Sequence, residues 1–464
     1  MSIRILGLQT GVSAFLLLGL AAGCNSTTSI SNLVLPEGPI SEDSEIPSPS
    51  FTPPISTVNA TAVFSDSFNN HENWTPPQSQ TGATNTCILG QICTTPVPSG
   101  YHDYRVAAAE SCSNLDGNHE TLNINDLHPR GGTGKSFVMW SEPCYSSGGS
   151  WGSDGLLGVH FPDRNEVYVR YWIQFQPDWQ WPTDVSPSPM QKFLHLSHLN
   201  PSLATSIWSF FDGTQNKPRF TPQLAKFGGG SYRIQFDLPH SPLTAARNNS
   251  ASFNSDVYLG ASPLDWTTPG PAGLPAPGDG NWHSFEFFVR MNTAGNADGA
   301  EKVWYDGNLV NSTTGIAWVP AGDDPDLWKW NHVWLGGNNS VLNASGEEQW
   351  YAVDDFVVSD HYSGPPPKPA NVAAQSTGEK TVQLSWTEGE NSAEYLLSGH
   401  RIYYGTSATD LNQSVEADSS NHFELGGLSS GQTYYFQVSA IKSASYDSNE
   451  NESLRSAVVS ALVN

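Results

Sequence analysis

The chain has 464 residues, enough for two or three domains, and its 42 Gly, 33 Pro and 16 Trp are typical of many short strands joined by turns rather than of a coiled coil or a collagen. Its 45 acidic side chains outnumber the 20 basic ones, which gives a formal net charge of -25. A field of this sign repels nucleic acid and anionic membrane surfaces, so we expect neither as a partner.

Residues 1–24 have the pattern of a secretory signal. Arg4 precedes the apolar run GVSAFLLLGLAAG, which is too short for a membrane span, and small residues precede Cys24. The ending LAAGC resembles the bacterial lipobox, in which the cysteine is lipidated and becomes the first residue of the mature protein. The resemblance implies export and a lipid anchor at the cell envelope, with Asn25 favouring the outer membrane. An ordinary signal peptide that releases a secreted protein is the alternative.

Residues 25–59 contain Ser, Thr, Pro and acidic side chains but no Lys or Arg. Such a segment cannot bury enough apolar surface to order itself, so we predict a disordered tether.

Four further cysteines are an even number in an exported chain: Cys87, Cys93, Cys112 and Cys144. Two disulfides are therefore expected, with three connectivities open. Pairing 87 with 93 and 112 with 144 is favoured because near neighbours close short loops. Metal ligation is the alternative, and the absence of a CxxC pair disfavours it.

Apolar and polar residues alternate in many short runs between residues 60 and 362, with no long helical pattern between them. This organisation predicts an antiparallel sandwich or jelly roll. The clearest run is EVYVRYWIQF from Glu166, in which one face is apolar and the other mixes aromatic and hydrogen-bonding groups. The apolar face contains Val167, Val169, Tyr171, Ile173 and Phe175, and the other contains Tyr168, Arg170, Trp172 and Gln174.

Four segments of this region, WHSFEFFVRMNTAG, KVWYDGNLV, HVWLGGNN and VDDFVVSD, resemble the second half of a concanavalin A-like lectin/glucanase jelly roll. The resemblance implies an all-β fold, an antiparallel β-jelly roll over residues 60–362. These motifs specify architecture better than chemistry.

A Pro-rich linker at 363–370 precedes a last module at 371–464. VQLSWT with Trp386, GHRIYYGT with Tyr403, and the Leu-x-x-Gly-x-x-Tyr corner ending at Tyr434 resemble a fibronectin type III domain. The resemblance implies a second β-sandwich that serves as a spacer without a catalytic role.

Hydrolysis is the activity of the best-known glucanases of this superfamily. Those enzymes carry a Glu-x-Asp-x-Glu series on one strand, which places two carboxylates about 5 Å apart. Residues 60–362 contain no such series. A glycoside hydrolase that lacks the motif therefore stays only as an alternative.

The reaction of the jelly-roll polysaccharide lyases, β-elimination of a uronate-containing glycan, is the favoured activity. It needs a cation or amide to neutralise the carboxylate and a Tyr, His or Lys to take the proton, and it requires no cofactor. VRYWIQF and QKFLHL look similar to a strand pair of such lyases that carries a carboxylate-binding arginine and a downstream basic residue. The candidate catalytic residues are Arg170, Lys192, His195, Tyr232 and Gln235. The candidate substrate-binding residues are Trp172, Gln174, His198, Arg233, Glu286 and Arg290.

Structural alternatives exist for these candidates. Arg170 can form a salt bridge within its sheet, and Tyr232 falls on the apolar side of its strand. Lys192 and His195 fall on opposite faces of a regular strand, so they reach one groove only through a bulge. A carbohydrate-binding protein without catalysis would use the same aromatic and polar side chains. In every case we expect a monomer whose partner is a polysaccharide and whose only membrane contact is the lipid anchor.

Asp66 opens the predicted jelly roll, while Asp354 and Asp355 close it. If the terminal strands pair, these carboxylates become neighbours, and calcium prefers clustered oxygen ligands. We therefore expect a structural calcium ion away from the groove, with solvated surface carboxylates as the alternative.

Overall fold

The computed structural model describes residues 62–76, 85–87, 96–106, 122–141, 155–177, 179, 190–199, 219–226, 232–237, 278–316, 318–319, 321–337, 349–389, 395–442 and 451–464. The predicted signal with Cys24, the predicted tether and the side chains of the four predicted disulfide cysteines lie outside the described residues. No described segment forms a helix long and apolar enough to cross a membrane.

The described residues form strands and two short 3₁₀ helices, at Arg130–Gly132 and Pro325–Leu327. The strands are β1 Phe64–Asp66, β2 Asn85–Cys87, β3 Asp103–Val106, β4 Leu122–Asn125, β5 Ser136–Ser141, β6 Gly155–Arg164, β7 Glu166–Phe175, β8 Met190–Lys192, β9 Leu194–Ser197, β10 Arg219–Lys226, β11 Tyr232–Asp237, β12 Trp282–Arg290, β13 Gly299–Tyr305, β14 Asn308–Ile316, β15 Trp330–Gly337, β16 Gln349–Ser359, β17 Ala370–Gly378, β18 Thr381–Thr387, β19 Leu397–Gly405, β20 Gln413–Ala417, β21 His422–Leu425, β22 Thr433–Lys442 and β23 Val459–Leu462.

Two eight-stranded antiparallel sheets pack face to face. The first sheet has the order β14-β13-β12-β7-β16-β5-β4, with β1 beside β16, and the second has the order β11-β10-β9-β15-β6-β3-β2, with β8 beside β10. Aromatic side chains of the two sheets meet between them: the Phe193 ring lies 6.3 Å from Tyr171 and 5.6 Å from Phe285. The predicted all-β sandwich is confirmed.

Strand β7 shows how the sequence sets the two sides of the first sheet. Its apolar series from Val167 to Phe175 is almost completely buried in the core shared by the sheets. Because successive side chains of a strand point to opposite faces, the series with Tyr168, Arg170 and Trp172 lies on the outer face. The predicted division of this strand is therefore confirmed.

The C-terminal module is a separate sandwich of a three-stranded sheet, β17-β18-β21, and a four-stranded sheet, β20-β19-β22-β23. Its core contains Trp386, Ile402, Phe436 and Val438. The hydroxyl of Tyr434 accepts a hydrogen bond from the Ser429 N–H at 3.3 Å. This contact ties the tyrosine of the predicted corner back to the preceding turn.

The C-terminal module packs directly against the outer face of the first sheet. Tyr168, Phe288 and Trp304 of that sheet form one buried cluster with Tyr362 and with Tyr395 of the module. The Trp304 indole N–H donates to the Tyr395 hydroxyl at 3.1 Å. The module is therefore attached through a packed interface as well as through the linker.

Polar contacts at Ser363 and Gly364 complete the interface between the C-terminal module and the first sheet. We call this interface the junction. The N–H groups of Ser363 and Gly364 donate to the two carboxylate oxygens of Glu286 at 2.6 and 2.8 Å. The carbonyls of the same two residues accept from the ammonium group of Lys442, which is 1% exposed. Two buried ions of opposite charge thus satisfy four backbone groups of the linker.

We predict that Lys442→Met lowers the free energy of unfolding by about 2–4 kcal/mol, because two buried carbonyls lose a charged donor. Urea denaturation of the full chain measures the loss. Lys368→Met is the matched control, since Lys368 is exposed, and it should change stability little. Equal effects of the two substitutions would contradict this role of Lys442.

Candidate functional site

Arg170, the predicted carboxylate-binding residue, lies beneath the junction. Its side chain is 5% exposed, and its Nε atom lies 3.6 Å from the carboxylate of Glu286. The same carboxylate accepts hydrogen bonds from the linker, so Glu286, a predicted substrate-binding residue, already binds the protein's own backbone. The structural alternative for Arg170, a salt bridge within its sheet, matches this geometry.

Other residues on the outer face of the first sheet contact the segment around the 3₁₀ helix at 130–132 or neighbouring loops. The guanidinium of Arg130 lies 3.9 Å from the Trp172 ring centroid, and His128 stacks on Trp350 at 3.5 Å. Gln174 donates to the Gly280 carbonyl at 2.7 Å. Arg290 is exposed at the end of β12 and donates to the Asp298 carbonyl at 3.2 Å. Trp172, Gln174 and Arg290, three predicted substrate-binding residues, thus have partners within the protein, while Trp172 and Gln174 stay half-buried and Arg290 exposed.

The expectation that Arg170 and His195 line one groove needs correction. Arg170 projects from the outer face of β7 in the first sheet. His195 projects from β9 in the second sheet, whose Leu194 and Leu196 face the shared core. The sandwich core lies between the two side chains, so one substrate cannot contact both.

Lys192 and His195 do share a surface, because the alternation of the strand is interrupted between them. Phe193 and Leu194 are consecutive and both are buried in the core, and β8 ends where this interruption begins. A Cβ atom at Gly337 would lie 2.6 Å from Lys192 Cβ and 2.9 Å from His195 Nε2. Both side chains therefore lie beside Gly337 on the outer face of the second sheet, as the alternative with a bulge requires.

His195 is held from its other side by Thr221. The two side chains are buried, and Thr221 Oγ1 lies 3.1 Å from His195 Nδ1. This contact orients the imidazole and leaves the Nε2 atom directed toward Gly337 and Lys192, which is half-buried.

The other candidate residues of the second sheet lie on or after its strands β9 and β11. His198 is buried after the end of β9, where its Nδ1 atom lies 3.1 Å from the Lys329 carbonyl, and burial lowers its pKa. Gln235 pairs with Gln223, which in turn pairs with Lys192, so the backbones of the three residues form one row. Tyr232 and Arg233 lie on the same strand β11, and the side chains of this strand are outside the described residues.

Five further residues of this outer face were not predicted as functional: Asp103, Arg105, His160, His332 and Trp334. Asp103 and Arg105 alternate with the core residues Tyr104 and Val106 on β3, just as His332 and Trp334 flank Val333 on β15. The alternation in DYRV and HVW was the signal that could have identified them. Strands β3 and β15 both pair with β6, and β15 also pairs with β9, although these strands are far apart in the chain. A single sequence does not reveal such long-range pairings.

A carboxylate and two histidines lie close together on this outer face, where Asp103 and His332 are buried. Asp103 lies 2.8 Å from His332 Nε2 and also accepts a hydrogen bond from the Trp334 indole. His160 pairs with His332 in register, and burial together with His332 and His102 lowers the pKa of His160 to about 4. His160 is therefore neutral near pH 7, and among the described residues its buried Nδ1 atom has no hydrogen-bond partner.

The predicted calcium ligands come together as the terminal strands β1 and β16 pair, with Asp66 opposite Phe356. The oxygens of Asp66 contact the Phe68 N–H and His71, and those of Asp354 accept from the N–H groups of Arg130 and Asp355. The guanidinium of Arg130 pairs with Asp355.

Burial and the Asp355 charge raise the pKa of Asp354 to about 7. No group of three or more His, Cys, Asp or Glu side chains in the described part of the chain is arranged to hold a metal. The aspartates already have protein partners, and calcium at this position stays a prediction.

Comparison with known proteins identifies the C-terminal module. Residues 365–455 match the family model of the fibronectin type III domain, which confirms that prediction. A Kelch domain-containing protein, SSO1033 of Saccharolobus solfataricus, is 28% identical over 162 residues, which is 35% of this chain. The chain spans only 20% of the length of that curated relative.

Several solved structures have a similar fold at low identity. The alginate lyase Aly36B is 15% identical and has a TM-score of 0.34, with 52% of this chain and 83% of that chain covered. The endo-β-1,4-glucuronan lyase of the fungus Trichoderma reesei is 10% identical with a TM-score of 0.31, covering 55% and 94%. The PL-14 alginate lyase of Aplysia kurodai is 12% identical with a TM-score of 0.33, covering 51% and 86%. Similarity of this degree assigns neither an activity nor a substrate to this chain.

The geometry around Arg170 generates a prediction on the pH dependence of stability. Burial raises the pKa of Glu286 to about 7 from its ordinary value of 4.5, against the opposing effects of Arg170, Lys442 and two N–H groups. A carboxyl group with a raised pKa in the folded state holds its proton more tightly there than in the unfolded chain. Its contribution to stability is therefore full below about pH 4.5 and falls as the pH rises to about 7.

We predict that Glu286→Gln flattens this part of the pH profile, which urea denaturation between about pH 5 and pH 8 measures. Glu424→Gln serves as the control, because Glu424 is exposed on the C-terminal module. An unchanged slope in Glu286→Gln would show that this carboxyl group has the same pKa in the folded and unfolded chains.

Proposed function

We propose that the protein is a polysaccharide lyase that cleaves a uronate-containing glycan by β-elimination on the outer face of the second sheet. One observation carries the proposal. The interruption at Phe193 brings a lysine and a histidine to the same face, beside Gly337, whose missing side chain allows the close approach of Lys192 and of the histidine Nε2 atom.

His195 is the proposed base. In the reaction, its Nε2 atom takes the proton from the carbon next to the uronate carboxylate, the bond to the leaving oxygen breaks, and a carbon–carbon double bond forms. A proton transferred to the leaving oxygen completes the step, so neither water nor an oxidant is consumed. For Nε2 to accept, Nδ1 must carry the hydrogen and donate it to Thr221 Oγ1, which lies 3.1 Å away.

Lys192 and Arg105 are the proposed contacts of the uronate carboxylate. A cation near the carboxylate stabilises the negative charge that develops as the proton leaves. Lys192 is half-buried beside His195. Arg105 is 2% exposed, and it pairs in register with Leu156, which pairs with Gly336 next to Gly337. These side chains supply local positive charge in a chain whose net charge of -25 repels a polyanion at long range.

We predict that the purified protein generates unsaturated product from at least one member of a panel of uronate polysaccharides, seen as a rise in ultraviolet absorbance. His195→Gln should lower kcat by about 10²- to 10⁴-fold, the usual loss for a general base. Lys192→Met should lower kcat/KM by about 10²-fold, the usual loss for one electrostatic contact to the developing charge.

The matched controls are His422→Gln, at an exposed residue of the C-terminal module, and Lys368→Met, at an exposed residue of the linker. Both should retain activity. Glycan binding without product from any member of the panel would identify a carbohydrate-binding protein instead and would overturn the proposed lyase. Full activity in His195→Gln would assign the base to another residue.

Export and lipid anchoring are part of the same proposal and depend on the sequence alone. Cys24 is the proposed lipidation site, and the proposed location is the bacterial cell envelope. Labelling of growing cells with a radioactive fatty acid should mark the wild-type chain and leave Cys24→Ser unlabelled. Equal labelling of the two chains would exclude Cys24 as the anchor.

A further inference from the structure

The carboxylate of Asp103 contacts two side chains of a strand that is not adjacent to its own. Its Oδ2 atom lies 2.8 Å from His332 Nε2, and its Oδ1 atom accepts from Trp334 Nε1. Asp103 belongs to β3 and the two partners belong to β15, with β6 between them. Adjacent strands are about 4.8 Å apart, so these side chains span about 10 Å of sheet.

The contact across β6 is possible because residue 158 is a glycine. It pairs with Asp103 on one side and with Trp334 on the other. A Cβ atom at residue 158 would lie 1.6 Å from Asp103 Oδ1 and 2.3 Å from Trp334 Nε1. Only glycine leaves room for the carboxylate and the indole to meet above the middle strand.

The indole fixed in this way forms one wall of the His195 position. Trp334 is directly opposite His195 in the register of β15 and β9, and the two rings are 6.3 Å apart in an edge-to-face arrangement. Thr221 contacts the imidazole from the next strand, β10. The ring of His195 is therefore confined between a tryptophan and a threonine.

We infer that Asp103 is a positioning residue that sets the orientation of His195 through Trp334. A carboxylate on β3 locks the indole, the indole limits the rotation of the imidazole, and the imidazole keeps its Nε2 atom directed at Gly337. The catalytic part of this inference rests on the proposed function, in which His195 is the base. The orientation itself is a property of the folded chain and can be measured without substrate.

The central variant is Asp103→Asn, which keeps the shape of the side chain and removes its negative charge. An uncharged amide has one acceptor oxygen, so it cannot accept from both His332 and Trp334 as the carboxylate does. Asp126→Asn is the matched control, because Asp126 is exposed. Trp334→Phe keeps a ring beside His195 and removes the donor to Asp103.

The first measurement is nuclear magnetic resonance of protein labelled at tryptophan and histidine nitrogens. Trp334→Phe and His195→Gln assign the two resonances. In Asp103→Asn we expect the Trp334 indole resonance to move and the His195 ring to populate both neutral tautomers, whereas Asp126→Asn leaves both unchanged. Wild-type resonances in a folded Asp103→Asn would overturn the inference.

The second measurement is kinetic and uses whichever uronate polysaccharide the wild type cleaves. Asp103→Asn should lower kcat by about tenfold or more, change KM little and move the pH profile of kcat, because the base is misaligned while substrate binding persists. Unchanged kcat and pH profile would also overturn it. If the wild type cleaves no member of the panel, the proposed function fails, and the spectra still decide whether Asp103 orients His195.

Should Asp103→Asn fail to fold, Trp334→Phe tests the same connection from its other end. It removes the indole N–H together with the five-membered ring that carries it, and it should produce the same two His195 tautomers. A single wild-type tautomer in Trp334→Phe would show that the imidazole is oriented without Asp103.

Discussion

The two-residue period of a β-strand is the constraint on which the site depends. In a sandwich with one core, every strand residue faces either the core or the outside, and successive residues alternate between these two sides. Phe193 and Leu194 break this period by both entering the core. Without that break, Lys192 and His195 would be divided between the core and the surface. A single irregular residue therefore creates the only pairing of candidate catalytic side chains that the described residues support.

Two glycines make the same surface usable. Side chains on one face of a sheet normally stand roughly perpendicular to it, which keeps residues of non-adjacent strands apart. Gly158 lets Asp103 reach Trp334 across a strand, and Gly337 lets Lys192 and His195 approach its backbone closely. Each of the two glycines thus allows side chains of the outer face of the second sheet to meet. Burial, together with His332 and His102, lowers the pKa of His160 on this face, so this side chain is neutral near pH 7.

Local sequence pattern predicted the strands well and the partners of their side chains poorly. The alternation in VYVRYWIQF correctly divided β7 into a core face and an outer face, and the tryptophan and tyrosine motifs correctly indicated a fibronectin type III module. Arg170 was a candidate because VRYWIQF is similar to a lyase strand that carries a carboxylate-binding arginine. Its actual partner, Glu286, is held by linker residues that Lys442 contacts from the other module. That arrangement depends on how two modules pack, which no local pattern encodes. Asp103 and Trp334 were missed for a related reason, since their contact depends on strand order.

The junction also distinguishes the outer face of the first sheet from that of the second. An arginine and a glutamate on the first sheet are buried as an ion pair, and burial of this kind costs free energy unless the remaining polar atoms are satisfied. The backbone of Ser363 and Gly364 satisfies Glu286, and the aromatic cluster around Trp304 excludes water from the surroundings. A polysaccharide would have to displace the module to reach Arg170. On the second sheet, the polar groups contact one another around Gly158 and Gly337, and Lys192 is half-buried beside them. The C-terminal module therefore packs against the outer face of the first sheet, and the proposed base and cation lie on the opposite outer face of the sandwich.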